Sequence, residues 1–143
     1  YDIFAGYWPQ VPGDAPHGGI ADAFNGVSKH VATHHPDTLD WQHSHALGAD
    51  VVSAVRALKR RDGPDLVTQG SSGLLHQLLA SNVVDELRLL TYPVLLGRGK
   101  RLFDDGTQAA SFRLDASRIT STGVVVSRYL RDGDVRTGSF ADD

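Results

Sequence analysis

The amino-acid sequence predicts an α/β protein with a mixed, mainly parallel sheet that ends in a C-terminal antiparallel hairpin. Three observations lead there. Short apolar runs alternate with segments of helical periodicity, the connections between them are only a few residues long, and the last two runs, Phe112 to Thr120 and Gly123 to Leu130, meet at Ser121-Thr122-Gly123. Strands joined through a helix run parallel, whereas strands joined by a tight turn run antiparallel.

Taken in order, Tyr1, Phe4, Ala5 and Trp8 share one helical face, and Pro9 is expected to end that helix. Gln10 to Gly19 holds two prolines and three glycines and reads as a surface loop. Ala21 to Phe24 could add one helical turn before Asn25-Gly26, and Ser28 to Thr33 reads as a short strand closed by Pro36. Leu39 to Leu47 reads as loop or edge strand. Gly48 to Arg61 is helical, with Asp50 at its start, Val51, Val55 and Leu58 as a stripe, and Gly63-Pro64 as its stop.

The stretch from Asp65 to Gly106 carries the most independent signals. Leu66-Val67-Thr68 reads as a buried strand that stops at Gly70. Ser71, Ser72 and Gly73 then open a helix whose apolar face is Leu74, Leu75, Leu78 and Leu79. The free N–H groups and positive dipole end of such a helix, approached by glycine, favour an anion such as phosphate. Asn82 marks the helix exit, Asp85 to Leu96 is an extended run bent at Pro93, and Leu102-Phe103 are apolar residues expected to tuck under the sheet. The tail from Arg131 to Asp143 is polar and expected to be partly ordered.

Composition narrows the function classes. The chain has 143 residues, 41% hydrophobic and 22% charged, which fits a single globular domain. A net charge of −3, with basic residues interspersed among acids, gives no field for a nucleic-acid partner. No apolar run approaches the ~20 residues of a membrane helix, so no membrane partner is expected. The absence of cysteine fits a reducing, cytoplasmic setting.

Several motifs have plainer readings beside the functional ones. His30, His34, His35, His43 and His45 cluster with Asp37 and Asp40, but no spacing supplies three or four convergent ligands, so no metal is expected and solvated loop histidines are the better reading. Ser71 and Ser72 lack the Gly-x-Ser-x-Gly elbow of a hydrolase, and the stretch has neither the Rossmann glycines nor a P-loop lysine. Gly97-Arg98-Gly99-Lys100-Arg101 is a second basic, glycine-bearing strand end, for which an exposed turn with surface cations is favoured.

The combination of Gln69-Gly70-Ser71, Val84-Asp85-Glu86-Leu87-Arg88-Leu89, Tyr92-Pro93-Val94-Leu95-Leu96-Gly97 and Gly99-Lys100-Arg101-Leu102-Phe103 resembles the dihydrofolate reductase-like family. More narrowly it resembles the branch that includes the C-terminal reductase domain of riboflavin biosynthesis. The resemblance extends back to Tyr1 to Pro9 and forward to Gly123-Val124-Val125. It implies a three-layer α/β/α fold, NADPH as hydride donor, a homodimer and a heterocyclic substrate of the pteridine, pyrimidine or phosphoribosylaminopyrimidine type. By position it implies that Gly70, Ser71, Ser72 and Gly73, flanked by Gln69 and Leu74, receive the cofactor pyrophosphate, and that Thr33, His34 and His35 lie on the adenosine 2′-phosphate side. The family's first strand and its Gly-Arg-x-Thr turn precede the equivalent of Tyr1, so fold residues are expected upstream, and no catalytic acid or base is identified in this sequence. The alternative is a nucleotide-binding or dimerisation module of the same fold without turnover.

Overall fold

A computed structural model describes residues 1–138, so the order expected for the end of the tail, 139–143, lies outside the described residues. The chain divides into two compact units, Tyr1–Gly63 and Pro64–Asp143. Together they contain helices, a parallel strand pair and an antiparallel sheet, an α/β fold.

In the first unit, α1 (Asp2–Ala5) leads into a 3-10 turn, Trp8–Gln10. Pro9 was expected to terminate the first helix. Instead it lies within this second turn, where its missing N–H costs nothing because early helical N–H groups have no intrahelical acceptor. Helix α2 (Gly18–Gly26) is longer than the single turn expected. Its first residue, Gly18, has no room for a side chain, since a Cβ there would fall 2.0 Å from the Gly13 carbonyl oxygen, a close approach that composition alone does not reveal.

An aromatic cluster joins these elements. The Phe24 ring lies 5.3 Å from Phe4 and 5.0 Å from Trp8, and Ala21 is fully buried. Trp41 is buried, donates from its indole N–H to Asn25 Oδ1 at 2.8 Å, and has the Lys29 ammonium 4.3 Å from its ring centroid. That ammonium also donates to the carbonyls of Phe24 and Val27 at 2.9 and 2.8 Å, which satisfies acceptors at the end of α2. Strands β1 (Lys29–Val31) and β2 (Ser44–Ala46) pair in parallel with His30 opposite His45. Helix α3 (Val51–Lys59) is capped by Asp50, whose carboxylate accepts from the Ser53 N–H at 3.0 Å.

In the second unit, α4 (Ser72–Ala80) packs Leu75 and Leu79 against Leu87 of β3 (Glu86–Thr91), with Val84, Leu102, Phe112 and Tyr129 around them. Asn82, at φ 55°, takes the left-handed position that ends the helix. The hairpin expected at the C-terminus is present. β4 (Phe112–Ile119) and β5 (Val125–Arg131) pair antiparallel through a turn at Gly123, φ 81°, with a bulge between Leu114 and Ala116. β3 pairs on the other side of β5, giving the order β3-β5-β4.

Two expectations about the sheet are corrected. Leu66-Val67-Thr68 is not a strand, and the sheet is not mainly parallel, because the parallel part is the three-residue β1–β2 pair. The physical reason is pairing. A strand is held by ladder bonds to a neighbour, residues 64–71 have no such partner among the described residues, and Val67 stands 82% exposed. Leu102 does anchor to the core as expected, whereas Phe103 remains 47% exposed.

Candidate functional site

The glycine turn before α4 has an uncommon backbone. Gly70 (φ 70°) and Ser71 (φ 53°, ψ 55°) are consecutive left-handed residues. Glycine adopts that region freely, while a residue with a Cβ is strained there by on the order of 1–2 kcal/mol. The Ser71 carbonyl accepts the first helical bond, from Leu75 N–H at 2.9 Å, and its side chain makes no cap bond. The N–H groups of Ser72, Gly73 and Leu74 therefore have no acceptor within the helix. A Cβ built on Gly70 or Gly73 would meet nothing within 4 Å, so the turn is open to an approaching group. Gln69 is exposed, and Ser72 and Leu74 are half-buried beside it.

Thr33, His34 and His35 belong to the other unit, where they form the turn that closes β1. The Thr33 hydroxyl oxygen accepts from the His35 N–H at 2.9 Å, and the Thr38 hydroxyl donates to the His35 carbonyl at 2.9 Å. Both imidazoles are exposed while Thr33 is half-buried. Gln69 to Leu74 and Thr33 to His35 are thus two candidate segments, each described within its own unit.

The other histidine features sort by environment. His30 and His45 stand side by side with ring centroids 5.8 Å apart. Burial, the His45 ring and the Arg61 charge, in that order, hold the His30 pKa below its ordinary value. Among the described residues no group of three or more ligating side chains could hold a metal ion. The Gly97 to Arg101 segment is exposed throughout, with Gly97 and Gly99 at positive φ, the geometry of a solvated turn.

Sequence reasoning missed a contact that fixes the loop after Gly99. His76 of α4 donates from Nε2 to the Leu102 carbonyl at 2.6 Å, since a carbonyl has no proton to give, and its Nδ1 lies 3.5 Å from the Asp104 carboxylate. Asp104 in turn accepts from the Gly106 N–H at 3.1 Å. No spacing rule pairs a helical histidine with residues 26 to 28 positions later. On the outer side of the sheet Glu86 accepts from Arg128 at 2.8 Å and also from Arg88, and these bonds hold its pKa below the usual carboxylate value. Asp50 is likewise held below its ordinary value, by its hydrogen bonds to Ser53.

Fold and turn together define an α/β domain with an open glycine turn leading into a helix N-terminus. Residues 22–126 match the family model of the RibD C-terminal domain. The chain belongs to that family. It is 34% identical over 84 residues to the uncharacterized protein YyaP of Bacillus subtilis (strain 168), covering 59% of this chain and 45% of that protein. The chain therefore spans about half the length of this relative. Among solved structures, it is similar to a protein assigned to riboflavin biosynthesis from Shewanella sp. PV-4, with TM-score 0.56, 20% identity, 76% of this chain and 57% of that one covered. A pyrimidine reductase-like protein from Corynebacterium diphtheriae gives TM-score 0.52, 22% identity, and coverage of 64% and 39%. These likenesses concern the fold. Among the described residues no helix is long and apolar enough to cross a membrane.

Proposed function

We propose that this chain is a dihydrofolate reductase-like domain, with a three-layer α/β/α arrangement, of an NADPH-dependent reductase that acts on a flat heterocycle such as a pteridine, a pyrimidine or a phosphoribosylaminopyrimidine. The observation that carries the reading is the left-handed pair Gly70-Ser71 ahead of the uncapped α4 N-terminus, in a chain of the RibD C-terminal domain family. The turn fits a pyrophosphate: three free N–H groups, a helix dipole, and open space where side chains would stand. Ser72, Gly73 and Leu74 would hold the phosphate oxygens, with Gln69 and Ser71 at the rim. Thr33, His34 and His35 would serve the adenosine 2′-phosphate, with an imidazole as donor when protonated. The nicotinamide supplies hydride when bound, and the protein supplies orientation and electrostatics.

NADPH fluorescence titration of the whole chain tests this. Saturable binding is expected, weakened by about tenfold or more in Gly70→Asp, since a carboxylate there repels phosphate while Asp tolerates the left-handed backbone. No saturable binding by the wild-type chain would end the reading. His34→Ala with His35→Ala is expected to narrow the preference for NADPH over NADH. A homodimer in the cytoplasm completes the proposal, and sedimentation equilibrium measures the first part.

A second reading is a module of the same fold that binds the nucleotide without turnover, and it is favoured by the absence of any ionisable side chain from Gln69 to Leu74. Heterocycle-dependent oxidation of NADPH would exclude it.

A further inference from the structure

On the face of the β3-β5-β4 sheet turned away from α4, arginines collect. Leu87 packs against α4, so its neighbour Arg88 points to the opposite face, because successive side chains of a strand alternate. Arg88 is directly opposite Arg128 of β5, and Arg118 of β4 is directly opposite Val126, which shares a face with Arg128. All three arginines therefore stand on one face, with Arg128 on the central strand. They border a single hollow of about 230 Å³, which Ala116 and Val126 also line. Ala116 lies opposite Arg128, and its lone methyl leaves the space open.

The acids on this face do not use up its positive charge. Arg128 is held from both sides, donating from Nε and Nη2 to Glu86 Oε2 at 2.8 Å and from Nη1 to Asp115 at 3.0 Å. Arg88 bonds Glu86 through Nε alone, and Arg118 makes no ion pair or hydrogen bond among the described residues. Three guanidinium charges at the hollow thus meet two carboxylates, and Asp115 is shared further with Arg113, whose Nη1 is 3.7 Å away. Like charges directly opposite across two strands destabilise a sheet, so Arg88 against Arg128 leaves a positive field that the face does not itself neutralise.

We propose that this hollow binds a small oxyanion with several negative charges, of the pyrophosphate class. The Arg118 guanidinium and the Arg88 amino groups donate to it, and Arg128, fixed by Glu86 and Asp115, is the positive wall between them. Guanidinium forks match pairs of phosphate oxygens, and bonds between charged partners are about twice as strong as neutral ones. The hollow is smaller than the ~300 Å³ at which sites for larger organic ligands begin, so it takes the free ion. The proposal uses none of the residues assigned to the cofactor and does not rest on the reductase reading.

Because the glycine turn is itself open to anions, the test uses the Gly70→Asp chain. Calorimetric titration of that chain with pyrophosphate is expected to show one ion bound, with affinity falling as added salt screens the exposed charges. Adding Arg118→Gln is expected to weaken binding about tenfold, and Arg88→Gln likewise, the loss typical of a bond to a charged donor. Arg118 is exposed and has no bond to lose, so Arg118→Gln is expected to leave the melting temperature unchanged. No pyrophosphate binding by the Gly70→Asp chain, or binding that Arg118→Gln leaves intact, overturns the assignment. Should Gly70→Asp fail to fold by circular dichroism, the unaltered chain decides: Arg118→Gln must lower its pyrophosphate stoichiometry or affinity, and no change overturns the assignment. Arg118-dependent binding of ADP or of hexaglutamate more tightly than pyrophosphate would give the hollow to a phosphate ester or an acidic peptide, and either result overturns the free ion.

Discussion

Ser71 holds a backbone conformation that suits glycine, and it does so without using its hydroxyl as a cap. Such strain at a helix entrance points to a role for the residue beyond folding. Ser71→Gly is therefore expected to raise stability by up to about 1 kcal/mol in urea denaturation while changing NADPH affinity, because relief of strain and loss of preorganisation go together. Asp50 shows the opposite economy. The Ser53 backbone N–H, then its hydroxyl, hold the Asp50 pKa below its ordinary 3.8, so the charged cap's contribution is fully present above that value and is lost as pH falls below it, through the lowered folded-state pKa. The difference in melting temperature between the wild type and Asp50→Asn is expected to shrink below pH 3.8. Asp50 was legible in the sequence because capping is local, within three residues. His76 was not, since its partners Leu102 and Asp104 are brought to it by tertiary folding.

At the scale of elements, α4 is the piece on which the second unit depends. Leu75, Leu78 and Leu79 are all buried, and Leu79 is only 4% exposed. Leu79→Ala is expected to cost roughly 2–5 kcal/mol, measured by urea unfolding. The apolar spacing of α4 announced it plainly, as did the hairpin turn at Gly123. The run Leu66-Val67-Thr68 looked equally strand-like, yet composition describes only what a strand would bury. Whether ladder bonds form depends on which neighbour is at hand, and β1 takes β2 while β3 takes β5.

Across the whole molecule, the second unit opens with a stretch, residues 64–71, that has neither helix nor strand and is exposed throughout, and Arg60 and Arg61 just before it are exposed too. Limited trypsin digestion is expected to cut first after Arg60 or Arg61 and within Arg98 to Arg101, a second exposed segment without regular structure. First cleavage at Arg56 or Lys59, inside α3, would contradict this assignment of order. The same distribution explains how much of the candidate site was legible. The glycine turn lies in one contiguous stretch, so its N–H groups could be read directly from residue order. The apolar pocket bordered by Leu79, Leu87, Phe112 and Tyr129 draws residues from 79 to 129, and nothing short of the folded sheet assembles it.

Beyond Thr91 the chain carries Tyr92, Val94, Leu95 and Leu96 in the open, with Leu95 wholly exposed, and among the described residues β3 is the last strand on its side of the sheet. Apolar residues continuing from a free strand edge invite other chains to add on in register and grow a fibril. Pro93 stands at the junction, packed 3.6 Å from where a Gly123 Cβ would lie, and its ring withholds the N–H that an added strand would need. It acts as a guard for this chain in a crowded solution. Pro93→Val is expected to leave the β3–β5 pairing in place while shortening the lag before thioflavin-positive aggregates form, and an unchanged lag would show that the edge is protected by something other than this one ring.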